Sequence, residues 1–202
     1  MFVGLGDHLE RFERNLQKLR FKCPYTREGQ HSIAAECVRQ TGFLDAYVQI
    51  LMTRGRPPIG VRDSRQCLNK FHVFCLPYMW LAPAPARKRG LHMKISHIQR
   101  VPPETVDSTI KHYHWLDFQV GLLDAYDAGA DTVILIDRNG NVTEGPGFNM
   151  FIVKNGQLGT PVTGVLDGIT RRTVMELCDE ADLECILRDI SPSEVFEADE
   201  VF

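Results

Sequence analysis

STIKHYHWLDFQVGLLDAYDAGADTVILIDRNGNVTEGPGFN, residues 108–149, is the stretch from which the rest of the chain is read. It sets one lysine, Lys111, at the front of an apolar helix and one glutamate, Glu144, in a Gly/Pro turn after a hairpin. A helix and a strand lie between them, enough chain to bring both ends back to one place. A lysine that does covalent chemistry attacks a carbonyl only as the neutral amine, so it needs surroundings that lower its pKa. A buried acid close by can hold a ring nitrogen protonated, and a protonated ring accepts electrons. On composition alone, a lysine and a glutamate this far apart are ordinary surface residues. The wording around them decides the matter.

Inside the stretch, Trp115, Phe118, Leu122 and Ala125 recur as one stripe and predict a helix from about His114 to Ala128. TVILID, 132–137, reads as a buried strand. Asn139-Gly140 is a hairpin signal, and Asn155-Gly156 repeats it after FNMFIVK. Glu144 follows the first hairpin directly, held among Gly145, Pro146 and Gly147. Further on, GVLDGIT, 164–170, opens the last long helix, expected over 169–182. A helix start offers N–H groups and a positive dipole end to an anion, so the backbone of Ile169 and Thr170 makes a physically sensible phosphate cup. ECILRDI, 184–190, reads as a strand, SPSEVFEA as a turn or short helix, and DEVF as the start of a strand.

Upstream, Asp7 reads as an N-cap for an amphipathic helix carrying Leu9, Phe12, Leu16 and Leu19, with the pattern H-x-x-R at His8–Arg11 inside it. Thr26 reads as the cap of a second helix reaching about Gln40 and ended by Thr41-Gly42. AYVQILMT, 46–53, is strand-like, with Tyr47 and Gln49 on one face. RGRPPIGVRDSR is a loop holding Arg54, Arg56, Arg62 and Arg65. NKFHVFCLPYMW, 69–80, reads as a strand, and LAPAPARKRG as a linker. HMKISHIQR, 92–100, is a strand, and VPPETVDST carries the chain to Lys111. The expected division is a small α/β lobe over 1–82, a linker over 83–90 and a larger lobe over 91–202.

The chain has 202 residues, 44% hydrophobic and 24% charged, ordinary for a protein with a real core. A formal net charge of −3 gives no basic field to attract nucleic acid. No apolar run approaches the roughly 18 residues that a membrane helix needs. The N-terminal wording has no basic region leading into a long apolar one, so no signal peptide is expected. Six cysteines, at 23, 37, 67, 75, 178 and 185, form no CxxC pair and read as free thiols in a reducing cytoplasm. His112 and His114 would face different ways on a helix, and no metal site is expected.

VTEGPGFNMFIVKNGQL, followed by TPVTGVLDGITRRTV, resembles the class IV (fold type IV) pyridoxal-phosphate aminotransferases. These include branched-chain and D-amino-acid aminotransferases, aminodeoxychorismate lyase and the R-selective amine transaminases. The resemblance covers nearly the whole chain. Lys-His-Tyr-His-Trp at 111–115, after VPPETVDSTI, is most similar to the R-selective amine transaminase branch. The resemblance implies an α+β, two-lobed, D-amino-acid aminotransferase-like fold, and a cytoplasmic homodimer with its active site at the interface. It implies pyridoxal 5′-phosphate as cofactor, with Lys111 as the catalytic Schiff-base lysine and Glu144 on the pyridine nitrogen. Arg11, from the H-x-x-R helix, would grip the phosphate with Ile169 and Thr170, and Leu166 would pack on a face of the ring. Tyr47, Gln49 and Trp115 would line the substrate pocket. Arg62 would be a movable clamp for a carboxylate. The implied reaction is transamination between an amino acid or primary amine and a 2-keto acid. A lyase of the same family would share Lys111 and Glu144, and a catalytically inactive fragment is the other alternative. The family has more chain before the H-x-x-R helix and a Thr/Ser-rich loop after the point where this sequence reads ADEVF. The resemblance therefore implies a member incomplete at both ends.

Overall fold

The first helix, α1 (Leu5–Lys18), starts at Gly4, whose left-handed backbone (φ 58°, ψ 27°) a glycine adopts without strain. That start lies ahead of the one expected at Asp7, which sits in the first turn with its charge toward the positive end of the helix. Leu9 and Leu16 are buried, with Arg11 and Asn15 beside them. Leu19, the last of the expected apolar stripe, is the C-cap and is exposed. The coordinates are a computed structural model that describes residues 2–202, in two compact units, Met1–Pro83 and Ala84–Phe202.

The rest of the first unit follows its capping and turn residues. Helix α2 (Arg27–Thr41) is capped by Thr26, whose hydroxyl accepts the Gly29 N–H at 3.3 Å, and ends on left-handed Gly42. Strands β1 (Ala46–Thr53) and β2 (Lys70–Pro77) pair antiparallel, with Tyr47 opposite Leu76 and Gln49 opposite Phe74. The strand expected over 69–80 stops at Pro77, because Pro77 pairs with Ala46, the first residue of β1, and the ladder runs out there. The arginine-rich loop between them is anchored at its ends. Arg54 donates to the carbonyls of Leu19 and Arg20 and covers the Phe21 ring, while Asn69 donates to the Arg54 carbonyl at 2.9 Å.

The second unit opens with helix α3 (Ala84–Arg89), where the alternation of Pro and Ala reads as linker. Proline is tolerated in a first helical turn, and Ala, Arg and Lys are good helix formers. Arg89 then ties the turn to Asp131 through two bonds of 2.9 and 3.0 Å. Strand β3 (Met93–Gln99), helix α4 (Leu116–Asp127) and strand β4 (Thr132–Ile136) form a parallel crossover unit. The helix packs close because residue 121 is glycine; a Cβ there would meet Leu135 at 2.6 Å. The period of two in β4 serves two cores. Val133 and Leu135 join Phe118, Ala125 and Ala130, while Ile134 joins Val142, Met150, Ile152 and Ile190. Each buried Val, Leu, Ile, Phe or Met side chain among these contributes roughly 1.5–3 kcal/mol relative to exposure.

Past β4 the chain turns at Asp137, whose Oδ1 accepts the N–H groups of Asn139 and Asn141, both at 2.8 Å. The returning arm bonds back to β4 through Thr143 N–H to the Leu135 carbonyl and Leu135 N–H to the Glu144 carbonyl. Strands β5 (Ile152–Lys154) and β6 (Gln157–Pro161) meet at Asn155-Gly156, both with positive φ (51° and 79°), as a type I′ turn requires. Helix α5 (Ile169–Glu180) leads to β7 (Cys185–Arg188), parallel to β6. It stops short of the expected 182, where Asp182 turns left-handed (φ 53°). Helix α6 (Pro192–Glu197) carries a capping box from Ser191 and Glu194, and β8 (Glu200–Val201) pairs with β5. The sheet order is β7-β6-β5-β8, and the mixture of helix and strand is α+β. No helix among the described residues is long and apolar enough to cross a membrane.

Candidate active site

Two neighbouring elements meet at Glu144. Arg100 extends β3, its N–H bonded to the Ile136 carbonyl at 2.8 Å, and Glu144 lies on the arm returning from β4. The Arg100 guanidinium, only 6% exposed, donates to Asp117 at 2.6 Å and to Glu144 at 3.3 Å, with its Cζ 4.2 Å from the Phe118 ring centroid. The Glu144 carboxylate, 5% exposed, also accepts the Leu166 N–H at 2.8 Å and the Asn149 amide at 3.3 Å. Burial pushes Glu144 above the ordinary carboxylate range, opposed by the Leu166 N–H, the Arg100 charge and hydrogen bond, and the Lys111 charge. Asp117 is also buried, which raises it. Hydrogen bonds from Val101 N–H and Arg100, with the arginine charge, more than offset that and hold it below its ordinary value.

The turn after Glu144 is tight. Gly145 and Phe148 exchange backbone hydrogen bonds, and a Cβ on Gly145 would meet the Phe148 ring at 2.2 Å. This turn delivers Asn149, whose amide also donates to the Leu166 carbonyl at 3.0 Å. Asn149 Oδ1 stands where a Cβ on Gly168 would fall, 2.1 Å away, so a glycine is needed at the N-cap of α5. No side chain caps that helix. Glu144, Asn149, Leu166 and the N–H groups of Ile169 and Thr170 therefore belong to one connected structure: a buried acid on a hairpin arm, hydrogen-bonded to the loop that starts an uncapped helix.

Lys111 departs from its expected place. It lies in a loop five residues before α4, not at the helix front, and its side chain is exposed. Local side-chain bonds hold the backbone in turns here and compete with helix. Asp107 accepts the Thr109 N–H and hydroxyl, and His112 Nδ1 accepts the His114 N–H at 3.0 Å. Trp115, expected on the helix stripe, is instead the N-cap residue, 40% exposed, with its ring edge-on to Phe118. His112 Nε2 is buried with no hydrogen-bond partner, and burial, then the Arg100 and His114 charges, lower its pKa.

Four expected site residues lie in the first unit. Arg11 is buried on α1, unlike a solvated helix arginine. Tyr47 and Gln49 share a face of β1, Tyr47 exposed and Gln49 half-buried. Arg62 is exposed in its loop, whereas Arg54 and Arg65 are engaged, Arg65 with Asp63. Among the described residues, no group of three or more His, Cys, Asp or Glu side chains could hold a metal ion. Sequence reasoning missed Arg100, Asp117 and Asn149. Asn149 stood inside the quoted motif, five residues past Glu144; for Arg100, one arginine ending a strand, nothing in the pattern marked it.

A ring nitrogen wants a buried acid, and a phosphate wants unfilled helix N–H groups. The linked Glu144 and α5 start supply both, so the residues present fit a phosphorylated pyridine. Residues 1–202 match the family model described as amino-transferase class IV. The chain belongs to that family, whose enzymes depend on pyridoxal phosphate. It is 29% identical over 202 residues to the branched-chain-amino-acid aminotransferase of Pseudomonas aeruginosa, covering 98% of this chain and 65% of that one. Among solved structures it is similar to the Escherichia coli branched-chain amino acid aminotransferase (TM-score 0.92, 26% identity, 98% of this chain and 66% of that chain). It is also similar to the branched-chain amino acid aminotransferase of Thermobaculum terrenum in its PLP holo-form (TM-score 0.84, 27% identity, 98% and 65%). The chain thus spans just under two thirds of the length of these relatives.

Proposed function

We propose that the chain catalyses pyridoxal-phosphate-dependent transamination between an amino acid, branched-chain amino acids first, and a 2-keto acid. The observation that supports this most is the buried Glu144 carboxylate, hydrogen-bonded to the loop that opens α5. When bound, the cofactor supplies an electron sink and carries the amino group between the two half-reactions. Glu144 keeps a proton on the ring nitrogen, and Arg100 and Asn149 fix its carboxylate in place. The N–H groups of Ile169 and Thr170, with Arg11, hold the phosphate, and Leu166 packs on the ring. Lys111 is the attachment point, and its Nζ takes and returns the proton of the substrate α-carbon. Tyr47, Gln49 and Trp115 shape the pocket, and Arg62 binds the substrate carboxylate. A cytoplasmic homodimer with the active site at its interface belongs to the same reading, on the strength of the family fold.

The test supplies the purified chain with pyridoxal phosphate, leucine and 2-oxoglutarate, and follows 4-methyl-2-oxopentanoate and glutamate. The expected result is formation of both in equal amounts, and none of either when one substrate is left out. Keto acid released from an amino-chorismate substrate without any acceptor, and no exchange with leucine or with an amine, would overturn the proposal in favour of elimination.

A further inference from the structure

Two thiols of the first unit stand against each other, apart from every residue assigned a role above. Cys37 on α2 and Cys75 on β2, 38 positions apart in sequence, bring their sulfurs to 3.3 Å, with the Cys75 thiol donating to Cys37. The Cys37 thiol in turn points at the Val73 carbonyl, 3.9 Å away. Both residues are half-buried. We propose that Cys37 and Cys75 form a reversible disulfide when the protein meets a peroxide, latching α2 onto the β1–β2 hairpin. A disulfide holds its sulfurs near 2.05 Å, so the two must close by roughly 1.3 Å, a shift shared between two side-chain rotations.

The register says where the latch lies. Cys75 pairs with Val48, and in an antiparallel ladder paired residues point to the same face. Tyr47 and Gln49, on either side of Val48, point to the other face. The bond therefore forms behind the hairpin, toward α2, and leaves the Tyr47 and Gln49 face open. Its effect is to tie helix to strand without covering that face.

The chemistry balances with peroxide as the oxidant. Burial, and then the neighbouring Cys37 sulfur, push the Cys75 thiol up to about 11, so Cys75 stays protonated and the first oxidation falls to Cys37. Cys37 takes one peroxide oxygen to become a sulfenic acid, releasing one water. The Cys75 sulfur then attacks the Cys37 sulfur; the S–O bond breaks, and hydroxide leaves with the Cys75 proton as a second water. Two thiols lose two hydrogens, and one peroxide becomes two waters.

The test treats the full chain with hydrogen peroxide, blocks remaining thiols with N-ethylmaleimide without denaturation or reduction, and maps unreduced peptides by mass spectrometry. The expected result is a peptide pair joined through Cys37 and Cys75, lost on dithiothreitol treatment. In Cys75→Ala the same peroxide dose should carry Cys37 on to sulfinic acid, since the resolving sulfur is gone. A treated native chain in which Cys37 becomes sulfinic acid, or in which both thiols remain open to alkylation, would overturn the proposal. So would disulfides found only between other cysteines, including Cys178 and Cys185, which also lie close enough to interact.

Discussion

Glu144 is a carboxylate that the fold takes out of water and then surrounds with donors: Arg100, Asn149 and the Leu166 N–H. Taken out of water it binds its proton more tightly than in an unfolded chain. Between the ordinary carboxylate range and the raised value, the folded chain therefore holds a proton that the unfolded chain has released, and stability falls as pH rises through that window. Glu144→Gln removes the titrating group. Without added cofactor, the stability difference between variant and native chain should move in favour of the variant as pH rises through the window. Thermal midpoints of both chains at stepped pH check this; a difference independent of pH contradicts it. In the loaded enzyme the same variant should lose roughly 10²–10³ in turnover, the cost of one preorganised electrostatic partner. Arg100 carries a second prediction. Removing one partner of a buried ion pair leaves an uncompensated charge, at a cost of about 3–5 kcal/mol. Arg100→Met should therefore lower chemical-denaturation stability by that order, since Asp117 and Glu144 are then both buried without it. A loss below about 1 kcal/mol, the size of an exposed pair, would show that the network is solvated.

At the scale of elements, α5 has to start against Asn149. A Cβ at Gly168 would stand 2.1 Å from Asn149 Oδ1, so Gly168→Ala should push the helix start away from Glu144. Each hydrogen bond to a charged phosphate that is lost weakens binding by roughly ten- to a hundredfold. Fluorescence titration with pyridoxal phosphate should show that loss, with the secondary structure by circular dichroism unchanged; unchanged affinity would separate this helix start from the phosphate. The arginine loop is the other element under test. Arg62→Ala should reduce turnover with amino and keto acids far more than with an uncharged amine, because only the acids present a carboxylate. Equal losses for both classes would make the loop structural. Turns and caps were the most legible elements: Thr26, Gly42 and Asn155-Gly156 stand where their chemistry puts them. The start of α4 was not, because Trp115 reads as helical by periodicity while local bonds to side chains hold 107–114 in turns. The 84–89 segment reads as linker because proline is scored as a breaker, although its first helical turn tolerates one.

For the whole molecule, the family motifs were legible because Glu144, Asn149 and the GVLDGIT helix start lie within one continuous run of sequence. The Arg100 network was not, since it joins residues 17 and 44 positions apart, and no periodicity records such a meeting. In the proposed function Lys111 is the lysine that bonds the cofactor. Its charge acts on Glu144 from an exposed loop. Of the competing lysines, Lys94 pairs with Asp124 at 2.8 Å, and Lys154 donates to the Glu197 carbonyl. Borohydride reduction of the chain loaded with pyridoxal phosphate, followed by peptide mapping, tests this directly. The reduced cofactor is expected on Lys111, with its loss in Lys111→Ala; label on Lys70, Lys94 or Lys154 in its place would contradict this assignment.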